Sequence, residues 1–256
     1  MWVAITREIS PSFGSCELTH LERQAIDVDL ARGQHHHYEE CLAVLGCRVQ
    51  RLPAEPDLPD SVFVEDAAVV LDELAIITRP GADSRKPETD SIAKALKPYR
   101  KLYHIQAPGT LDGGDVLCIG KNISVGLSSR SNRSGIDQLR SFVESQGYTV
   151  RGVPIRGCLH LKSAVTQVAQ DTLLVNPLWV DLRNFDDMKI IEVDPGEPYA
   201  ANAVWMGDEA VYPTSFPRTR QRLEQGGISV VTVDVSEIAK AEGAVTCCSL
   251  IFMVKE

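Results

Sequence analysis

The sequence predicts an α/β protein, a radial array of five strand-turn-strand-helix units in a single domain spanning residues 1–256. Three observations predict it. A pattern of apolar strand, polar turn and second apolar strand returns at intervals of roughly fifty residues, a period typical of repeat architectures. Helical stretches follow these hairpins, which excludes an all-β array, and a doubly wound sheet would not repeat hairpins in this way. Both ends of the chain, Met1–Thr6 and Ala244–Val254, read as strands, so the first residues can close the ring with the last.

In order, Met1–Thr6 is a short strand, and residues 11–19 form a loop with Gly14 in which Leu18 is apolar among polar neighbours. Asp27 to Leu45 reads as a helix, with Val28, Ala31, Tyr38, Cys41, Leu42 and Leu45 near helical spacing and Gly46 ending it. His35, His36 and His37 lie inside that helix about 100° apart, so they cannot all ligate one metal. Arg48–Leu52 is a strand ended by Pro53. Ala67–Leu71 and Leu74–Thr78 pair across an Asp72-Glu73 turn, with a helix from Glu88 to Leu96. The pattern returns with Val116–Ile119, a Gly120-Lys121-Asn122 turn, Ile123–Gly126 and a helix from Gly135 to Gln146. Ala164–Val168 and Thr172–Val175 form a hairpin, and Ala200–Trp205 opens another, turning at Gly207-Asp208-Glu209 before a helix from Arg218 to Glu224.

Composition narrows the function. With 44% hydrophobic and 24% charged residues, the chain can bury a full core. A net charge of −9 without a basic stripe disfavours nucleic acid and leaves cationic small molecules as the easier partner. No apolar run approaches membrane-spanning length, and the N-terminal run is too short for a signal peptide, so a cytoplasmic protein without membrane association is expected. The seven cysteines are odd in number and lack metal-ligand spacing, as suits free thiols.

In a radial array, equivalent positions of each unit converge on one axis, which gathers Asp66, Asp112, His160, Asn202 and Cys247 from far apart in the sequence. A thiol needs a base or positive neighbour to become a nucleophile, and of the six histidines only His160 sits at a repeat entrance. Asp112 and Asp115 flank Gly113-Gly114, which also suits a plain turn. Glu65 and Asp66, at the mouth of an apolar strand, would be costly to bury without a cation, and a guanidinium satisfies carboxylates bidentately. Arg85 and Arg130 occupy equivalent places in consecutive units, suited to clamping a carboxylate. The ligand these groups describe is a free amino acid of the arginine type.

The segments Pro59–Asp66, Thr78–Gly81, Gly109–Asp115, Leu159–Lys162, Ala200–Asn202 and Thr246–Ser249, in that order, strongly resemble the dimethylarginine dimethylaminohydrolase family of the guanidino-group-modifying, or pentein, superfamily. The resemblance implies a five-bladed α/β propeller and hydrolysis of asymmetric dimethylarginine or monomethylarginine to citrulline and an amine, without metal or cofactor. It implies Cys247 as nucleophile, His160 as general acid/base and Asp112 as its orienting carboxylate. Asp66, with Asp60 and Glu65, is expected to hold the guanidinium, Phe63 to line the pocket, Arg85 and Arg130 to bind the α-carboxylate, and Leu18 to belong to a mobile lid. Cys248 is expected to point away along a strand. Relatives acting on free arginine usually carry an acid two residues after the histidine; here that residue is Lys162, which favours an alkylated guanidine with fewer N–H groups to satisfy.

Two other readings remain at this point: a deiminase-like hydrolase of arginine or another substituted guanidine, and a non-catalytic propeller that binds a cationic amino acid. A zinc ion on Cys247 and His160 would occupy the nucleophile and is expected to inhibit. The sequence leaves oligomeric state open, with room for a homodimer.

Overall fold

A computed structural model describes residues 1–254. In chain order it contains β1 (Trp2–Arg7), α1 (Val28–Val44), β2 (Cys47–Leu52), β3 (Ala68–Val70), β4 (Leu74–Ile77), α2 (Glu88–Leu96) and β5 (Lys101–His104). β6 (Val116–Ile119), β7 (Asn122–Leu127), α3 (Arg133–Val143), β8 (Thr149–Pro154), α4 (Leu161–Ala164), β9 (Val165–Ala169), β10 (Thr172–Val175) and β11 (Lys189–Glu192) follow. The chain ends with β12 (Val204–Met206), β13 (Glu209–Pro213), α5 (Pro217–Gln225), β14 (Ser229–Val233), α6 (Ser236–Ala239) and β15 (Leu250–Met253).

The strands form five three-stranded sheets, β15-β1-β2, β3-β4-β5, β6-β7-β8, β9-β10-β11 and β12-β13-β14. Each begins with an antiparallel pair and adds a third strand parallel to the second. A parallel neighbour needs a crossover, which explains the intervening helices α1, α2, α3 and α5. Two features differ from the sequence reading. Of the third strands only the first, read as Arg48–Leu52, was foreseen; the other four were not, because segments such as Lys101–His104 and Lys189–Glu192 are short edge strands with exposed ends and little apolar run. The β10–β11 crossover carries a 3-10 turn, Leu182–Phe185, in place of an α-helix, with Phe185 buried. The first sheet does join both termini, with Trp2 opposite Met253 and Ile5 opposite Leu250.

Period-2 alternation along the strands places side chains between each sheet and the next. Val3 and Ile5 pack with Ala75 and Ile77 of the second sheet, while Ala4 turns the other way towards Val204 and Val211 of the fifth. Val69 and Ile76 meet Ile123 and Val125, Leu117 and Val153 meet Leu173 and Val175, and Leu174 meets Tyr212. The core is thus five clusters, each between consecutive sheets. Each fully buried Ile or Leu contributes about 1.5–3 kcal/mol. Helix ends are capped from the sequence: Asp27 accepts the N–H groups of Asp29 and Leu30 at 3.1 and 3.0 Å, and Asn132 accepts that of Gly135 at 2.9 Å. Among the described residues no helix is long and apolar enough to cross a membrane.

Candidate active site

The first strand of each sheet is preceded by a turn or loop that carries a polar side chain: the 3-10 turn Val64–Ala67 before β3, Gly113–Asp115 before β6, His160 before α4 and β9, Asn202 before β12, and Thr246–Cys248 before β15. These turns pack against one another, Val64–Ala67 touching both Gly113–Asp115 and Thr246–Cys248. Gly113 and Gly114 make the approach possible. A Cβ on Gly113 would lie 1.9 Å from the Glu65 carbonyl oxygen, and one on Gly114 would lie 2.7 Å from His160 Nδ1 and 2.8 Å from Asp66 Oδ1. Close contact, more than turn conformation, requires glycine here.

His160 is buried between two carboxylates, its Nε2 3.1 Å from Asp112 Oδ2 and its Nδ1 3.8 Å from Asp66 Oδ1. Burial alone lowers an imidazole's proton affinity, but Asp66, the hydrogen bond to Asp112 and the charge of Asp115 outweigh it and raise His160 to about 9. The ring is therefore an imidazolium at neutral pH. Asp112 also accepts the Gly81 N–H at 2.8 Å, and Asp115 accepts the Leu161 N–H at 3.0 Å and the Ser128 and Ser131 hydroxyls at 2.5 and 2.6 Å. Burial pushes Asp115 up to about 6. For Asp66, burial acts in the same upward direction, yet His160, Arg85 and the Gly114 N–H hold it below the usual carboxylate range. Ligand-capable atoms of Asp66, Asp112 and His160 lie within 4.8 Å of one another, but these groups already satisfy each other and Arg85.

Glu65 is placed differently from Asp66. Its two oxygens accept from Lys162 Nζ at 2.6 Å and Thr246 Oγ1 at 2.8 Å, and Asn202 in turn donates to Thr246 Oγ1 at 3.0 Å. This bridge forms part of the wall of a cavity of about 270 Å³, together with Gly113, Gln167 and Trp205, whose lining includes none of Asp66, Asp112, His160 and Cys247. Cys247 lies on the Thr246–Cys248 turn, half-buried, and its N–H donates to the Ala244 carbonyl at 3.2 Å. Burial, with the charges of Glu65 and Asp66, pushes its thiol up to about 12. Cys248 is buried, but on this helical turn and not on a strand; its Sγ faces the Ala244 carbonyl at 3.6 Å. Phe63 is buried beneath the site, edge-on to Phe13 and against Gly243, where a Cβ would meet its ring at 2.3 Å.

The two arginines have unequal settings. Arg85 is buried and gives Nη1 to Asp66 at 2.6 Å, Nε and Nη2 to Glu88 at 3.1 and 2.8 Å, and Nη2 also to the Asp60 and Phe63 carbonyls. Arg130 is less committed: Nη2 donates to Thr19 Oγ1 at 3.1 Å, and Nη1 lies 3.9 Å from Asp112 Oδ2. Thr19 belongs to a segment laid over the site. Its neighbour Glu17 donates its N–H to Asp60 Oδ2 at 3.0 Å and accepts from Ser84 Oγ at 2.6 Å, and Leu18 packs half-buried on the core.

Residues 54–218 match the arginine deiminase family. A dimethylarginine dimethylaminohydrolase of Streptomyces coelicolor is 39% identical over 96% of this chain and 95% of its own, and one of Pseudomonas aeruginosa is 36% identical over 88% and 90%. The chain belongs to the dimethylarginine dimethylaminohydrolase family. A crystal structure of the Pseudomonas aeruginosa family member, a cysteine-to-serine mutant complexed with citrulline, superposes with a TM-score of 0.93 at 34% identity, covering 98% of this chain and 100% of the other. A family member carrying an adduct with S-methyl-L-thiocitrulline superposes with a TM-score of 0.94 at 34% identity, covering 98% and 100%.

Of the residues singled out from sequence, Asp66, Asp112, His160 and Arg85 are thus drawn into one buried network, and Cys247 lies within the electrostatic reach of Glu65 and Asp66. Glu65 is the exception among the acids, since Lys162 and Thr246 take both its oxygens. Sequence reasoning noticed Lys162 as a departure but not its partner, and it missed Glu88 and the Asn202–Thr246 contact. Glu88 sits three residues after Arg85, a spacing that places acid and base together at a helix start and is a readable signal.

Proposed function

We propose that this protein hydrolyses Nω-methylated arginine to citrulline and dimethylamine or methylamine through a covalent thiouronium on Cys247. The observation that carries the reading is the His160 imidazolium held between Asp112 and Asp66, with the Cys247 thiol, its ionisation suppressed by burial, within reach of the charge of the same Asp66. The relatives named for this activity, similar over most of both chains, support it. Six buried carboxylates, Asp60, Glu65, Asp66, Glu88, Asp112 and Asp115, are gathered here. Burial, opposed by Arg85 and reinforced by neighbouring acids, raises Glu88 to about 7, the mark of a site short of positive charge. A guanidinium supplies it.

In this mechanism the arriving cation lowers the proton affinity of the Cys247 thiol, which releases its proton to solvent, and the thiolate adds to the guanidinium carbon. Asp66 accepts guanidinium N–H groups and fixes the plane. His160, oriented by Asp112, gives its proton to the departing nitrogen; the C–N bond breaks, leaving amine and thiouronium. Neutral His160 then takes a proton from water, hydroxide adds to the same carbon, and the C–S bond breaks as the new hydroxyl proton passes to the departing sulfur, restoring the Cys247 thiol and releasing citrulline.

Arg130, under the covering segment, anchors the α-carboxylate. Arg85 contributes its charge and holds Asp66, while Asp60 and Leu18 position the covering segment as a lid and Phe63 supports the pocket floor. Glu65 acts through its bridge to Lys162, and the guanidinium contact falls to Asp66. We also assign the five sheets as the blades of an α/β propeller with pseudo-fivefold repetition in a single domain, working in the cytoplasm with room for a homodimer. No step calls for a metal or cofactor.

A deiminase acting on free arginine is the nearest alternative, favoured by the family match over residues 54–218. The Lys162–Glu65 bridge argues against it by removing one carboxylate from the guanidinium. Product analysis decides between them: dimethylamine and citrulline from asymmetric dimethylarginine, absent with Cys247→Ser, support the proposal. Ammonia from arginine as the faster reaction would overturn it.

A further inference from the structure

Glu242 is a non-glycine residue of the described chain with positive φ, at +59°. Such a backbone conformation is disfavoured for a residue with a Cβ, and it persists where the surroundings fix it. Here those surroundings are the segment that covers the site. The Glu242 carboxylate accepts the backbone N–H groups of three successive residues, Thr19 at 3.0 Å to both oxygens, then His20 and Leu21. Three converging N–H groups form an anion-binding nest, and its occupant comes from the chain's own far end. Glu242 lies five residues before Cys247, on the stretch that leads through Gly243 and Ala244 into the nucleophile's turn. Its N–H is bonded to the Ala239 carbonyl at 3.1 Å, so the left-handed residue aims its side chain from a fixed base. The same segment is hydrogen-bonded to Arg130 through Thr19 Oγ1 at 3.1 Å and to Asp60 through the Glu17 N–H.

We propose that Glu242 is the latch of this lid, a positioning residue that ties residues 19–21 to the Cys247 loop and so retains substrate over the nucleophile. The proposal rests on the functional reading above for its kinetic consequence, but not for the latch itself. The nest faces a carboxylate and cannot be satisfied by a side chain too short to reach it. The left-handed backbone allows an unusual test, because glycine and asparagine suit that conformation better than glutamate while lacking the reach.

Glu242→Gly and Glu242→Asn are therefore expected to melt within about 3 °C of the parent, since relieved backbone strain offsets the lost contacts. Both should raise KM for methylated arginine about tenfold with kcat within about threefold, the split expected when retention and not chemistry is impaired. Both should also speed limited trypsin cleavage after Arg23 at least about fivefold, because the Arg23 side chain bonds to the Gly14 and Cys16 carbonyls within the same segment and so moves with it. Unchanged cleavage in both variants would overturn the latch. Faster cleavage with unchanged KM would overturn its role in retention. Faster cleavage in a protein that turns over no methylated arginine would keep the latch and remove the functional reading.

Discussion

The ionisation of Cys247 yields the sharpest quantitative consequence of this site. With the thiol pushed up to about 12, the thiolate fraction at pH 7.5 is about one in 30,000, against about one in ten for an ordinary cysteine. A guanidinium bound about 4 Å from the sulfur stabilises the thiolate by about 4 kcal/mol at an effective dielectric constant of about 20. At about 1.4 kcal/mol per unit, that lowers the thiol by about three units, to about 9. The thiolate fraction at pH 7.5 rises about a thousandfold in this accounting. The assay is alkylation of the peptide containing Cys247, followed by mass spectrometry, with neutral iodoacetamide and cationic chloroacetamidine compared against their rates with a small free thiol. Iodoacetamide should react slowly at neutral pH and climb tenfold per pH unit through pH 9.5 without a plateau. The amidinium should be accelerated by about three orders of magnitude relative to it at pH 7.5. An iodoacetamide profile that levels off below pH 8, or thiolate absorbance in the free protein at neutral pH, would refute the reasoning.

Three further outcomes follow from particular contacts. Gly114→Ala places a methyl 2.7 Å from His160 Nδ1 and 2.8 Å from Asp66 Oδ1, and is expected to cost about 1–3 kcal/mol in urea unfolding and at least about a hundredfold in kcat. Lys162→Met leaves Glu65 buried with only Thr246 as partner; it should cost about 2–3 kcal/mol, move the arginine to methylarginine selectivity towards arginine, and be largely rescued in stability by a second change, Glu65→Gln. His160, raised from its ordinary value to about 9, binds its proton more tightly in the folded state. Its contribution of about 3 kcal/mol is present in full below about pH 6.5 and is lost as pH rises to about 9. The stability difference between the parent and His160→Gln, measured by urea unfolding from pH 6 to 10, should shrink through that window and would contradict the assignment if it grew.

Much of this arrangement could be read from the residues because it repeats. The hairpins announce themselves by two apolar runs around Asp72-Glu73 or Gly120-Lys121, and equivalent entrance positions then bring Asp66, Asp112 and His160 together without knowledge of any contact. The third strands of the other four sheets, unlike Arg48–Leu52, escape because an edge strand needs only one apolar face; Lys101–His104 exposes both its ends. Glu65 and Asp66 are adjacent carboxylates after the same apolar run, and nothing in their local sequence separates the one that faces Lys162 from the one that faces His160 and Arg85. That distinction depends on a 3-10 turn, where successive side chains diverge, and on partners 97 and 19 residues away. Glu242 was illegible for the same reason, since its three donors lie more than 220 residues distant.

The separation of Glu65 from Asp66 connects the electrostatics to the choice of substrate. A guanidinium carries its charge over a plane of N–H donors, and each donor buried without an acceptor costs about 1–3 kcal/mol. Free arginine presents more such donors at its terminal nitrogens than a dimethylated guanidine does, so a site for it needs more acceptors. Lys162 draws one oxygen of Glu65 and Thr246 the other, while Asp66 keeps its charge beside His160 with the remaining lone pairs on its oxygens. The site therefore offers a cation the full attraction of its buried acids but few places to donate. On the proposed function, methyl groups meet that condition at no hydrogen-bond cost, whereas the extra N–H groups of free arginine compete for the same few acceptors. On that proposal, charge selects for a guanidinium and the shortage of open acceptors for an alkylated one; Lys162 contributes to the second without weakening the first, because Arg85, Arg130, Lys162 and the His160 imidazolium together still fall short of the six buried carboxylates.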